Sequence, residues 1–238
     1  MSRATVRAGI GQLAQRFGLP QEAPAQLDRL LELVASDPLA PTSVRDPGAA
    51  LDVHVADALV GLELEPVRAA RRIADLGSGA GFPGLVLAAA LPQAEVTLVE
   101  SSRRKCAFLV RAVGAMGLGN VAVLAERAEC WSAGLGAQDV VTARALAPLN
   151  VLVEYAAPLL REGGALVAWK GRRDGVEEAD GAAAAALIGL VSVEILPVQP
   201  WSGAEHLHLH LYLKVGSTPN RFPRRPGMPS KRPLRASS

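Results

Sequence analysis

From Ile73 to Lys170 short apolar runs alternate with segments of helical pattern, and nothing else in the sequence constrains the fold as tightly. Ile73–Leu76, Glu95–Glu100, Val121–Glu126, Asp139–Arg144 and Ala165–Lys170 read as strands, and Arg103–Met116 and Asn150–Leu160 as helices between them. Such alternation predicts an α/β fold, a mostly parallel sheet with helices on both faces. The end of the pattern differs. Val191–Val198 and His206–Lys214 follow each other without an intervening helix, and the second alternates His with Leu. It is expected to be an antiparallel last strand, half exposed, with Leu207, Leu209 and Leu211 inside and His206, His208 and His210 on a solvated face. No carboxylate or thiol clusters with those histidines, so no metal is expected there.

Ahead of the sheet, Thr5–Phe17 and Glu22–Ser36 carry helical periodicity. Leu27, Leu30, Leu31 and Val34 are spaced to form one buried face. A further helix is expected over Ala49–Leu62. The predicted organisation is a helical extension over residues 1–62, packed on a sheet domain over 63–214, with a basic tail over 215–238.

Half of the 238 residues are hydrophobic, enough for a sizeable core. Cys106 and Cys130 do not form a disulfide framework, and the first residues have no apolar signal-peptide core. The longest apolar run, near Ala182–Val193, is too short to span a bilayer. A cytoplasmic protein without a membrane partner is expected. The net charge of +2 conceals an asymmetry. Seven of the 25 basic residues lie from Lys214 onward, where there is no acid, and the other 18 face 23 acids. An acidic body with a basic end suggests a polyanionic partner met through the tail.

The stretch ADLGSGAGFPG (Ala74–Gly84) follows the first strand. Gly79, Gly81 and Gly84 fit the G-x-G-x-x-G dinucleotide pattern, and Asp75–Gly81 fits the first loop of an S-adenosylmethionine enzyme. Ligands of such sheets bind beyond the carboxyl ends of the strands, so both readings place a ligand here. Asp75 beside the loop is a poor neighbour for a pyrophosphate, which prefers a bare helix N-terminus, and a good one for a sulfonium. Pro83 crowds the loop where a dinucleotide needs backbone amides. Glu100 ends the second strand, where an acid binds ribose hydroxyls in either class. S-adenosylmethionine is favoured, and an NAD-binding oxidoreductase remains the alternative.

Several segments, in order, resemble the bacterial 16S rRNA (guanine-N7)-methyltransferases of the RsmG/GidB family. They are TSVRDP (Thr42–Pro47), HVADAL (His54–Leu59), DLGSGAGFPGLVLA (Asp75–Ala88), RKCAFL (Arg104–Leu109), RAE (Arg127–Glu129), ARAL (Ala143–Leu146), WKG (Trp169–Gly171) and the tail TPNRFPRRPGMPSKRPL (Thr218–Leu234). Ala58 and Ala143 stand where the family commonly has Ser. The resemblance implies a Rossmann-like fold, S-adenosylmethionine as cofactor, and methylation at N7 of guanine 527 in 16S rRNA. The partner would be that RNA, the small ribosomal subunit or its assembly intermediate, with no obligatory protein partner. A methyltransferase of the same fold with another substrate is the alternative. Gly77, Phe82, Ala128, Glu129 and Arg144 are implied cofactor contacts. Gly77 and Gly79 would admit the methionine end, Phe82 would supply an apolar wall, Ala128 and Glu129 would meet the adenine, and Arg144 would pair a carboxylate or a phosphate.

Arg45, His54 and Lys170, together with Arg221, Arg224 and Arg225 of the tail, are the candidates for RNA contact; a lysine closing a strand can equally be an ordinary surface residue. His54 and Asp57 could pair on one helix face. Arg103, Arg104 and Lys105 read as a solvated helix start. Guanine N7 has an in-plane lone pair and no proton, so its alkylation needs no general base, and no catalytic acid or base is expected. Exocyclic amines are methylated by enzymes with a D/N-P-P-Y/F/W motif after the fourth strand. Here that place reads Arg144-Ala-Leu-Ala-Pro148.

Overall fold

A computed structural model describes residues 2–235. The chain begins with α1 (Arg3–Phe17), capped by the Ser2 hydroxyl on the Thr5 amide and ended by Gly18 in the left-handed region, and α2 (Ala23–Ser36), which buries Leu27, Leu30, Leu31 and Val34 as expected. A helical run follows as α3 (Pro47–Ala50), a π-helical stretch (Leu51–Ala56), α4 (Asp57–Leu59) and a 3-10 turn (Val60–Glu63). Where the periodicity predicts one regular helix, the backbone widens into a π turn around His54. After α5 (Glu65–Ala69) come β1 (Arg72–Leu76), α6 (Gly84–Ala90), β2 (Glu95–Val99), α7 (Arg103–Met116), β3 (Val121–Leu124), β4 (Gln138–Arg144) and α8 (Leu149–Ala156). The chain continues through β5 (Leu160–Lys170), α9 (Gly175–Leu187), β6 (Leu190–Val198), β7 (Leu207–Lys214) and α10 (Met228–Lys231).

The seven strands form one sheet in the order β3-β2-β1-β4-β5-β7-β6. All pairings from β3 across to β5 are parallel, whereas β7 runs antiparallel to both β5 and β6. The antiparallel last strand is therefore as expected. Two cores flank the sheet, which is why its central strands read as nearly continuous apolar runs. Ile73, Val140, Val167 and Trp169 face a core shared with α1, α2, α6 and α7, so the N-terminal helices and the sheet bury one continuous surface. Ala74, Leu76, Val141, Leu166 and Ala168 face the other core, under α8 and α9, and Phe222 of the tail joins it. Trp169 ties β5 to the helical run: its Nε1 donates to the Asp57 carbonyl at 2.8 Å. Among the described residues no helix is long and apolar enough to cross a membrane.

Three expectations need correction. The helix read over Asn150–Leu160 stops at Ala156, and Leu160 already pairs with Gln138; Arg161–Gly164 then bulges out before the ladder resumes at Ala165. The histidine face of β7 is not uniformly solvated. α9 covers it, Gly181 lying so close to Tyr212 that a Cβ would sit 2.8 Å from the phenol oxygen, and His210 is buried. The tail is not a separate extension. It docks on α8, as described below, although its last three residues lie outside the described part of the chain.

Candidate active site

The carboxyl ends of β1, β2 and β4, with the segment after β3, enclose a cavity of about 330 Å³. It is bounded by Gly77, Glu100, Lys105, Glu129, Leu146 and Tyr155, together with the Ala128 segment. This is where an open sheet holds its ligand, and the size is at the lower end of small-molecule sites.

The loop after β1 is built around Asp75. This residue is fully buried. Its carboxylate accepts from the Thr142 hydroxyl of β4 at 2.8 Å and from the Gly84 amide at 3.3 Å, and Ser78 donates back to its carbonyl at 2.8 Å. Asp75 thus buckles the two ends of the loop together and does not face the cavity. The expectation that it offers charge to a sulfonium is corrected: alternation along β1 turns it toward α6. Gly84 has no room for a side chain, since a Cβ would lie 2.8 Å from Asp75 Oδ2 and 2.4 Å from Leu98 Cδ2. Gly77 combines a positive φ of 66° with a Cβ position 2.6 Å from Leu146 Cδ1, so bare backbone forms that wall of the cavity.

Burial pushes the Asp75 pKa up to about 6, the hydrogen bonds from Thr142, Ser78 and Gly84 and the Arg144 charge opposing it. An acid with a raised folded pKa contributes stability that is full below its unfolded pKa and lost as pH rises through the folded one. Between pH ~4 and ~6 that loss amounts to about 2 kcal/mol. His54 works in the opposite sense. Burial first, then the Arg144 charge, lower its pKa to about 4, so it costs stability as pH falls. The two slopes offset each other in the unaltered protein. Asp75→Asn should remove only the first. We expect the stability difference between variant and parent, from urea titrations at pH 4 to 7, to change by about 2 kcal/mol across the window. A pH-independent difference would show that Asp75 keeps an ordinary pKa.

Glu100 is the acid that does face the cavity. It is buried at the end of β2; Oε2 accepts from the Gly79 amide at 3.2 Å and Oε1 from the Ser102 amide at 2.8 Å. A carboxylate has about four acceptor positions, so two remain for ligand hydroxyls. Lys105 Nζ lies 3.7 Å from it on the same wall. Lys105, read with Arg103 and Arg104 as a solvated helix start, is 40% exposed and also borders the cavity; an RRK triplet opening a helix does not reveal which member does so.

A second cluster lies where β4 meets the helical run. Arg144 Nη1 donates to Asp57 Oδ2 at 2.7 Å and to the Val53 carbonyl at 3.0 Å, and Nη2 to His54 Nδ1 at 3.2 Å. Because arginine only donates, His54 Nδ1 must accept, so the proton is on Nε2, which donates to the Thr42 hydroxyl at 3.0 Å. The imidazole stacks on Phe82 with ring centroids 4.4 Å apart, and the guanidinium lies 5.6 Å from the Phe82 centroid. Phe82 thus belongs to this cluster and is not in the cavity wall. Arg144 spends three of its five N–H donors here, leaving two for a ligand. His54 and Asp57 do not pair with each other; both hold Arg144. A π turn between them is the local irregularity that often marks functional segments.

The other sequence candidates divide. Arg45 donates to the Asp37, Pro38 and Ala40 carbonyls and so braces the turn that follows α2. Lys170 pairs with Glu177 at 2.5 Å. Arg224 is bidentate to Glu154, at 2.7 and 2.5 Å. All three side chains have partners within the chain, carbonyls for Arg45 and carboxylates for Lys170 and Arg224, so an RNA phosphate would have to compete with them. Arg221 and Arg225 are exposed. Tyr155 and Leu146, both on the cavity, carry no sequence signal that singles them out.

The model of the family described as GidB, rRNA small subunit methyltransferase G, matches residues 26–200. A ribosomal RNA small subunit methyltransferase G from Rubrobacter xylanophilus is 44% identical over 197 residues, 80% of this chain and 76% of the relative. Its namesake from Chloroflexus aggregans is 40% identical over 227 residues, 92% of this chain and 94% of the relative. Among solved structures, a predicted O-methyltransferase from Agrobacterium tumefaciens aligns with a TM-score of 0.53 at 26% identity, over 68% of this chain and 80% of that one. An S-adenosylmethionine-dependent methyltransferase from Aquifex aeolicus aligns with a TM-score of 0.53 at 16% identity, over 71% and 94%, a likeness of fold.

Proposed function

The chain belongs to the GidB family of rRNA small subunit methyltransferases G, and from that premise we propose that it methylates N7 of one guanine of 16S rRNA, at position 527, with S-adenosylmethionine as donor. The observation that carries the cofactor assignment is the buried Glu100 carboxylate, facing the cavity with acceptor capacity to spare, opposite a wall of bare Gly77 backbone. These residues fit a nucleoside with free hydroxyls. Glu100 would hold the ribose, Gly77 and Gly79 would admit the methionine end, and Ala128 and Glu129 would border the adenine. Bound S-adenosylmethionine supplies an electrophilic methyl group on a sulfonium.

The protein's task is to align, and to exclude water. Aligned reactants can gain about 7–11 kcal/mol over reactants free in solution. Guanine N7 needs no base, and the second cluster is consistent with that. His54 has its lone pair on Arg144 and its proton on Thr42, and Asp57 is ion-paired. His54 cannot take up a proton at Nδ1 without giving up its hold on Arg144, and a proton on Asp57 would discharge its ion pair. The Arg144–Pro148 segment lacks the acidic or amide acceptor that amine methylation uses. Arg144, with two donors left, is placed to meet a carboxylate or a phosphate. Arg221 and Arg225 are exposed on the docked tail, on an otherwise acidic body, and would contact RNA phosphates. Such an enzyme works in the cytoplasm, on the small subunit or its assembly intermediate.

The experiment is mass spectrometry of 16S rRNA from cells lacking the gene. Loss of one 7-methylguanosine, restored by the intact gene, is expected. Retention of every 7-methylguanosine, or loss of a different modification, would reassign the substrate.

A further inference from the structure

The cavity has a wall that the chain supplies from its far end. Glu129 borders the cavity, and its Oε1 accepts from the Gly227 amide at 3.0 Å. Tyr155 borders it too, and its hydroxyl shares a hydrogen bond of 2.9 Å with Ser230. One residue before Tyr155, Glu154 is fully buried in its bidentate pair with Arg224. On the same helix, Asn150 donates to the Leu234 carbonyl at 2.6 Å. Phe222 completes the dock by burying its ring in the core under α8. The contacts therefore run from residue 222 to residue 234, and two of them end on side chains that line the cavity.

We propose that the tail from Phe222 to Leu234 is a working part of the cofactor site, with Gly227 as the positioning residue that sets the Glu129 carboxylate. The inference rests on the reading that this cavity binds S-adenosylmethionine. Glu129 lies in a short 3-10 turn (Ala128–Cys130) with no buried residue of its own, so little in the turn itself fixes where the carboxylate points. The Gly227 amide supplies that constraint. It can do so because Gly227 has φ 80°, a left-handed conformation that turns the chain at the start of α10. With the tail undocked, Glu129 and Tyr155 would both have to be ordered by the cofactor on arrival, and affinity would fall accordingly.

By reciprocity, whatever the docked tail adds to cofactor affinity the cofactor must return as protection of the docked tail. Two measurements on the full chain test this, with S-adenosylhomocysteine as the probe. Gly227→Pro removes the amide donor and cannot adopt a positive φ, yet leaves every residue of the body in place. We expect its dissociation constant to rise about tenfold, the loss of one hydrogen bond to a charged acceptor. Gly227→Asn keeps the amide, tolerates the left-handed region and meets open space, since no atom lies within 4 Å of its Cβ position. It should bind within about twofold of the parent. In the unaltered protein, saturating S-adenosylhomocysteine should slow tryptic cleavage between the exposed Lys231 and Arg232, next to Ser230, severalfold. Equal affinity of Gly227→Pro and parent, or tail cleavage indifferent to the ligand, would overturn the proposal. Failure of the unaltered protein to bind the probe would instead overturn the cofactor reading on which it rests.

Discussion

Arg224→Ala is expected to lower the melting temperature by about 10 °C, a large effect for a residue in a Pro- and Arg-rich tail. The reason is Glu154. That carboxylate is fully buried on α8, and both its oxygens accept from the Arg224 guanidinium. Removing one partner of a buried pair leaves the other charge without compensation, at a cost of about 3–5 kcal/mol. Because the Arg224 side chain is 23% exposed, the lower end of that range applies. For a chain of this length each kcal/mol moves the midpoint by about 2–4 °C. The paired replacement Glu154→Leu with Arg224→Leu removes both charges, and most of the loss should be recovered. The measurement is thermal unfolding followed by circular dichroism, at one pH and salt concentration. If Arg224→Ala melts within about 2 °C of the parent, the pair adds nothing and the tail is not pinned there.

The same residue shows where sequence reading stops. Composition says that Pro- and Arg-rich chain cannot build a core of its own, and that holds: the tail contributes one buried aromatic to a core formed by others. Composition does not say whether such a segment docks. Docking required a buried acid on α8, and Glu154 sits in a helix whose sequence looks merely apolar. The sheet was legible because each central strand is buried on both faces and so reads as an apolar run. The glycine loop was legible because backbone that approaches a ligand closely must discard side chains. Asp75 was legible as important but not in its role. Its position at a strand end is the same whether it faces a ligand or Thr142, and only the alternation of β1 against two cores decides. His210 misled for a related reason: strict alternation along β7 marks two faces, but whether the polar one meets water depends on where α9 lies. Arg45 and Lys170 read only as candidates for RNA contact because a sequence shows a charge without showing its partner. The cluster of His54, Asp57 and Arg144 joins residues about 90 positions apart, a distance no local pattern reports.

Glu100→Ala is expected to weaken S-adenosylhomocysteine binding by about 100-fold or more while leaving the fold intact. Two losses combine. The ligand forfeits its hydroxyl contacts to a charged acceptor, each worth about 1.5–3 kcal/mol. The loop also loses its anchor, because the Gly79 and Ser102 amides both donate to this carboxylate. The carboxylate they bind borders the cavity, so water entering the space it leaves can satisfy them in part, and the stability cost should stay near 1–2 kcal/mol. Glu100→Gln separates the contributions. Its amide oxygen can accept from one of the two N–H groups, but its NH₂ then confronts the other, and its oxygen carries no charge. It should fall between parent and alanine variant in affinity. Isothermal titration with S-adenosylhomocysteine reads the effect directly, and a melting curve of each free variant reads the fold. Affinity within threefold of the parent for Glu100→Ala, with an unchanged melting curve, would remove Glu100 from the site. The cofactor would then have to sit elsewhere along the strand ends.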